Sequence, residues 1–442
     1  MSFLLDCLYA AAGAALLPYW LWKLPQARRY RAGLVERLGF APSLEPLQPR
    51  LWIHCASVGE AGIPRRLVSA FQRQRPDWDI VFSTNTDTGA ERLRTLYPAR
   101  TVFHTPLDFA CCVGRALDRV RPDLILLVEL EMWPNFLLAA GARGVPVAIV
   151  SGRIGEGSRR LLRALLRFFP DLRDILQLCC ARSEDDAGGF MAAGLNPETV
   201  FTCGSLKYDT LATEADPEQA RHLERMFNLV GDAPVLVAGS THDGEELLVA
   251  AAYRDLKIEF RRLRLVIAPR HIERADRVQA ALEDRGFTVC RKTELEKRGE
   301  PAPENAVCLV DTIGDLVACY SLANCAFVGR SLLPPGGGQN MMEPAALGTA
   351  VLVGPHTGNF RPEMRLLERH GAVKVAQNPR RLSEEIKLLL REPERAEQMA
   401  RAARRLVRQS RGATERTLAR LEPLLRDVEQ DKAKCGRAPR NA

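Results

Sequence analysis

The 442-residue chain reads as an α/β protein of two similar halves, each built on a parallel sheet covered on both faces. Three observations carry this. Short apolar runs recur without polar alternation at Ile80-Val81-Phe82, Leu124-Ile125-Leu126-Leu127-Val128, Val145 to Val150 and Val200-Phe201, with helix-length stretches between them. That pattern belongs to strands buried on both sides. It restarts after a polar segment, Thr213 to Arg221, with runs at Pro234 to Ala238, Leu265 to Ala268, Val307 to Val310, Cys325 to Val328 and Ala350 to Val353. The length exceeds one ordinary domain, and 46% hydrophobic with 26% charged residues suits a real core.

Composition narrows the function classes. A net charge of +8 favours anionic partners such as nucleic acid, anionic lipid or phosphorylated substrates. No block of Lys and Arg selects among them. The twelve cysteines are scattered and form no Cys-x-x-Cys, so neither a disulfide framework nor a zinc site is expected. Reduced thiols in a cytoplasmic protein fit best. The seven histidines are dispersed, and metal-dependent chemistry is not expected. The absence of Gly-x-Ser-x-Gly argues against an α/β hydrolase.

In chain order, Phe3 to Trp22 is largely apolar and just long enough to span a bilayer. Tyr19, Trp20 and Trp22 resemble an interfacial belt, and Lys23, Arg28, Arg29, Arg31 and Arg37 follow on the side expected to face the cytoplasm. We expect an uncleaved membrane anchor over 1–22 and a basic juxtamembrane region over 23–50. A secretory signal would carry its cations before the apolar run. Whether the anchor spans or lies on the membrane stays open.

Leu51 to Cys55 reads as a buried strand running into Ala56-Ser57-Val58-Gly59-Glu60. Ile63, Leu67, Ala70 and Phe71 recur at helical spacing, which puts Glu60 between a strand end and a helix start. Ligands bind at the carboxyl ends of such strands. A carboxylate there can act as a base, kept ionised by the helix N-terminus, or it simply complements the helix dipole. Glu129 and Glu131 close an unusually apolar strand, where a charge needs a partner or a task. Arg159 to Phe169 segregates cations and apolar residues onto different helical faces, the pattern of a membrane-surface helix or of a packed helix with a solvated face. Arg153, Lys207 and Arg270 stand at strand ends, where Arg suits forked contacts to phosphate or carboxylate.

The domain boundary falls at Gly204 to Asp209. Beyond it, Gly239-Ser240-Thr241-His242-Asp243-Gly244-Glu245-Glu246 echoes the turn at Glu60. Two such halves imply a cleft between them. Lys292 to Glu304 reads as a charged surface loop, Glu384 to Leu424 as helical, and 428–442 as a disordered basic tail. The strongest cluster is Gly329 to Asn340, a Gly-rich loop leaving a strand, followed by a helix from Met341-Met342-Glu343. Such a loop offers backbone N–H groups to a phosphate, and the Glu can accept from ribose hydroxyls. No Gly-Lys-Ser/Thr makes it a Walker A sequence.

These landmarks together resemble the 3-deoxy-D-manno-octulosonic acid (Kdo) transferases of lipopolysaccharide synthesis. The resemblance runs from the apolar N-terminus to about Leu424. It rests on Ser57 to Glu60, Glu129 to Asn135, Gly204 to Asp209, Ser240 to Glu246, Pro269-Arg270-His271, Asp311 to Leu316, Gly336 to Ala346, Gly354-Pro355-His356 and Asn359-Phe360. It implies a GT-B architecture, two Rossmann-like domains facing across a cleft, with acceptor domain 51–209 and donor domain 210–427. It further implies Glu60 as general base, with Glu129 and Lys207 assisting the transition state. Pro269, Arg270, Ile313, Gly314, Asp315, Asn340, Met341, Met342 and Glu343 would line the CMP site, while Ser57, Gly59 and Arg153 are candidate acceptor or carboxylate contacts. The implied reaction is metal-free transfer of Kdo from CMP-Kdo to a lipid A precursor (lipid IVA) at the inner membrane. No cofactor and no nucleic-acid partner are expected. The sequence departs from the family with Arg330 in Gly329-Arg330-Ser331 and with Pro334-Pro335 in the loop. The alternatives are another GT-B sugar-nucleotide enzyme, a UDP-sugar transferase or epimerase, or a non-enzymatic membrane-tethered anion-binding protein. The number of Kdo residues added, the acyl preference and the oligomeric state are not legible.

Overall fold

The computed structural model describes residues 5–7, 9–11, 33–229 and 231–435. The chain forms two compact units, one of residues up to Thr210 together with Ser410 onward, the other Leu211–Gln409.

The first unit holds a seven-stranded sheet in the order β3-β2-β1-β4-β5-β6-β7, with every pairing parallel. Its strands are β1 (Arg50–His54), β2 (Asp79–Thr84), β3 (Thr101–His104), β4 (Leu124–Val128), β5 (Val147–Gly152), β6 (Leu176–Ala181) and β7 (Val200–Thr202). β1 and β4 are buried along their whole length, as their unbroken apolar sequences require of central strands. Two cores follow, one on each face of the sheet. One packs Leu51, Ile53, Phe82 and Leu126 against the helix Arg65–Gln74. The other packs Trp52, Phe103, Ile125 and Leu127 against Phe136 and Leu137.

Residues 33–49 belong to this unit too. Glu36 accepts from His104 at both its backbone N and Nδ1, each at 2.7 Å, and Ala41 lies in the second core. Most of the expected anchor, 1–22, lies outside the described residues. Among those described, no helix is long and apolar enough to cross a membrane.

The second unit repeats the design. Its sheet runs β10-β11-β9-β8-β12-β13-β14, with β8 (Val235–Thr241), β9 (Arg264–Pro269), β10 (Val289–Arg291), β11 (Val307–Leu309), β12 (Cys325–Val328), β13 (Ala350–Val353) and β14 (Val373–Val375). Again all pairings are parallel. In both sheets the strand order reverses once beside the first strand, at β1/β4 and at β8/β12. The crevice at the carboxyl ends of such a pair is where doubly wound sheets bind ligands.

Three sequence expectations change. The segment Lys292 to Glu304 is not all loop: Lys292–Arg298 is a helix, held by buried Leu295 and by Lys292, which pairs with Glu296 at 2.7 Å. The tail expected from 428 is helical through Cys435, and 436–442 lie outside the described residues. Ser410 to 427 does not stay with the second unit. The helix Ala413–Cys435 buries Leu418, Leu421 and Leu425 in the first unit's core, and Arg75 donates to Glu422 and Glu429 at 2.9 and 2.8 Å. Asp209, 3% exposed, accepts from the backbone N–H groups of Gly412 and Thr414 at 2.8 and 2.6 Å. It thereby caps the returning helix.

Candidate active site

In the first unit the candidate residues gather at the β1/β4 switch. Glu60 is not in a helix's first turn. Turns occupy the stretch after β1, and the helix begins at Arg65. The Glu60 carboxylate instead curls back to accept from the Ala56 N–H at 2.8 Å, with Ser57 Oγ at 3.5 Å. Its pKa is raised rather than lowered. Burial is the main cause, opposed by the Ala56 N–H, with the charges of Glu129 and Glu131 adding to it and His54 opposing. The helix N-terminus expected to keep it ionised begins only at Arg65, five residues further on, and desolvation outweighs it.

Glu129 follows β4 directly and has φ 61°, a conformation rare for non-glycine residues and concentrated at functional positions. Its backbone stays tied in, since its N–H donates to Val150 O at 3.0 Å. Lys207 Nζ donates to Glu129 Oε1 at 2.7 Å. Arg153 is exposed, with its N–H donating to Glu129 O at 3.3 Å. Ser57 is half-buried and Gly59 exposed. The structure thus brings Glu60, Glu129 and Lys207 into one neighbourhood and places Arg153 at its rim.

Sequence reasoning left His54, Asn85 and Trp133 out of this site and gave Glu131 no role. His54 sits 2% exposed at the end of β1, between Ser83 Oγ at 2.9 Å and Glu131 Oε2 at 2.8 Å. The available signal was a histidine inside the unbroken apolar run Leu51 to Cys55, which needs buried partners.

The second unit gathers its candidates at β8/β12 and the neighbouring end of β9. The loop Gly329 to Asn340 is braced from within. Glu245, 1% exposed, accepts from four backbone N–H groups: Ser331 and Leu332 on Oε1, each at 2.9 Å, and Arg330 and His242 on Oε2 at 2.6 and 2.9 Å. Gly337, with φ 114°, donates to His356 O at 2.9 Å, and a Cβ there would meet Asn359 Nδ2 at 2.5 Å. The glycines are needed because the loop lies directly on 354–360. Arg330 has φ 56° and an exposed side chain.

Arg270 is exposed just beyond β9. Asn340 Nδ2 donates to Glu343 Oε1 at 3.0 Å. The Glu343 carboxyl is pushed up by burial, against the pull of Asn340 and the Arg270 charge, so Arg270 and Glu343 face the same locality. Burial, with Arg330, His271 and Arg274 nearby, keeps the His242 pKa below the usual histidine range. This rim of cations suits an anionic ligand.

Not every candidate presents its side chain. Met341 and Met342 are 0% and 2% exposed, so only their main chain can meet a nucleotide. The helix there is short, Met342–Leu347. The Asp315 carboxylate is occupied by Gln219 Nε2 at 2.8 Å, by the Thr312 hydroxyl and by Lys292 at 3.5 Å. It fixes the turn that carries Gly314, φ 103°, and leaves Ile313 86% exposed. Pro269 is buried at the end of β9.

Comparison with known proteins bears on the chain as a whole. A family model described as 3-deoxy-D-manno-octulosonic-acid transferase (kdotransferase) matches residues 32–210. The chain is 31% identical over 402 residues to the 3-deoxy-D-manno-octulosonic acid transferase of Haemophilus influenzae, covering 90% of this chain and 92% of that one. It is 35% identical over 437 residues to the enzyme of the same name from Bordetella pertussis, covering 94% and 99%. The crystal structure of UDP-GlcNAc 2-epimerase from Neisseria meningitidis bound to UDP-GlcNAc resembles it with TM-score 0.56 at 16% identity, over 85% of this chain and 100% of that one. At that identity the likeness speaks for the fold alone.

Proposed function

The chain belongs to the 3-deoxy-D-manno-octulosonic acid (Kdo) transferase family, and from that premise we propose that it moves Kdo from CMP-Kdo onto a hydroxyl of a lipid A precursor, with Glu60 as general base. One observation carries the assignment of the base. Glu60 is a carboxyl of raised pKa, held by one backbone N–H, in the same neighbourhood as the Lys207–Glu129 pair at 2.7 Å. A base whose pKa lies nearer the working pH transfers protons more effectively.

The acceptor oxygen attacks the anomeric carbon of Kdo. Its proton passes to Glu60 as the bond from that carbon to the CMP phosphate oxygen breaks, and CMP leaves with the electron pair. Lys207 and Glu129 flank the charge that develops at the sugar. Arg270, on the loop's side of the second sheet, takes up the charge on the departing phosphate, a form of electrostatic catalysis. The scheme uses no metal.

We place the enzyme at the cytoplasmic face of the inner membrane. The helix Glu156–Phe168 supports this, because Leu161 and Phe168 are 57% and 71% exposed beside exposed Arg160, Arg163 and Arg167. The site reading is tested by Glu60→Gln. We expect kcat for transfer to fall by about 10²–10⁴-fold with CMP binding retained. Near-normal transfer by that variant removes Glu60 from the role.

A further inference from the structure

Trp133 ends the connection after β4 and immediately precedes the helix Pro134–Gly141. Its neighbours Leu130 and Met132 pack against the core, yet the indole itself is 37% exposed. The exposed ring is not free to swing. Its Nε1–H donates to Glu131 Oε2 at 2.9 Å. The same oxygen receives Asn85 Nδ2 at 2.6 Å and His54 Nε2 at 2.8 Å.

This arrangement is braced from behind. Trp52 Nε1 donates to Ser83 Oγ at 2.7 Å, and that hydroxyl lies 2.9 Å from His54 Nδ1. His54 thus links the Ser83 hydroxyl to the Glu131 carboxylate, with Thr105 Oγ1 3.2 Å from the same Nδ1. Three donors converge on Oε2, while Oε1 accepts no hydrogen bond among the described residues.

A rigid, exposed aromatic face with an open carboxylate oxygen at its edge is complementary to a pyranose. The apolar C–H face of the sugar stacks on the indole, and a rim hydroxyl reaches the carboxylate. Two further carboxylates, Glu60 and Glu129, share this neighbourhood, and Lys207 pairs with only one of them. Carboxylate oxygens of this kind accept from the hydroxyls of a sugar ring. We propose that Trp133 and Glu131 form the subsite for the acceptor's sugar ring, with Trp133 as stacking platform and Glu131 Oε1 as hydroxyl acceptor. The proposal rests on the sugar-transfer reading for its placement on the acceptor side.

The test uses the full-length enzyme and the variants Trp133→Ala and Trp133→Phe, each first checked for an unchanged Tm and donor KM. We expect Trp133→Ala to raise the acceptor KM about tenfold with the donor KM unmoved, and Trp133→Phe to restore most of it, since a phenyl ring keeps the face. An unaltered acceptor KM in Trp133→Ala overturns the proposal. So does a Phe variant as poor as the Ala one, which would mean that only the indole N–H matters. Tryptophan fluorescence of the wild type, titrated with a free hexosamine disaccharide, reads occupancy without turnover. A change in emission that Trp133→Phe abolishes supports the subsite, even in an enzyme that fails to use CMP-Kdo. No change overturns it even where transfer proceeds.

Discussion

Substituting Glu245 by Gln separates the bracing of the donor loop from its chemistry. The two carboxylate oxygens each accept from two backbone N–H groups, and the side chain is 1% exposed. A glutamine fits the same space but replaces one oxygen by an NH2 group. In either amide orientation two buried N–H groups then face a donor. Each buried donor left unpaired costs about 1–3 kcal/mol, so the pair costs about 4 kcal/mol. For a unit the size of Leu211–Gln409, each kcal/mol lowers Tm by about 2–4 °C, or about 12 °C in total. Calorimetry of the purified variant reads this directly. Because the freed pair is either Ser331 and Leu332 or Arg330 and His242, the loop loosens in both cases, and the KM for CMP-Kdo should rise as well, while the acceptor KM should not. A loss of less than about 1 kcal/mol, or an unchanged donor KM, would refute the idea that this carboxylate holds the loop.

Two further outcomes follow. The raised Glu60 pKa puts the acid limb of the kcat/KM profile above the ordinary glutamate value of about 4.3, since the base form is lost as pH falls through the raised value. The stability sign is opposite. A carboxyl whose folded pKa is raised contributes stability below its unfolded pKa and loses it as pH rises through the folded one. Glu60→Gln should therefore have a higher Tm than the wild type at pH 7.5, and the difference should vanish near pH 4; an equal gap at both would contradict this. Second, replacing Leu161 and Phe168 together by Asp should slow transfer to an acceptor embedded in anionic vesicles, with the rate on detergent-dispersed acceptor unaltered. Equal rates in vesicles would detach this helix from the membrane.

Much of the architecture was legible because buried parallel strands write themselves as unbroken apolar runs. β1, β4, β8 and β12 all stand where Leu51 to Cys55, Leu124 to Val128, Pro234 to Ala238 and Cys325 to Val328 put them. The strands β3, β10 and β14 went unread. They have four, three and three residues and are all edge strands, where one partner suffices and little apolar sequence is needed. β6 went unread because its Cys179-Cys180 pair drew attention as thiols rather than as small buried apolar groups. At the site, local sequence could place Glu60 after a strand but not its surroundings. Its raised pKa comes first from burial and then from Glu129 and Glu131, some seventy residues away in sequence. Likewise, Asp315 and Met341 carry the spacing of a binding motif, but only packing shows that the one is already hydrogen-bonded and the other buried.

The return of the chain at Ser410 makes the second unit an insertion within the first. During synthesis the first sheet emerges from the ribosome long before the helix that completes its core. At roughly 5–20 residues per second, the stretch Leu211–Gln409 takes on the order of 10–40 s to produce. Throughout that interval the face of Val68 and Phe71 that later receives Leu418, Leu421 and Leu425 stands open to water and to other chains. The nascent protein therefore has a reason to recruit a chaperone at that face, and a chain cut short before Ser410 would never lose the need for one.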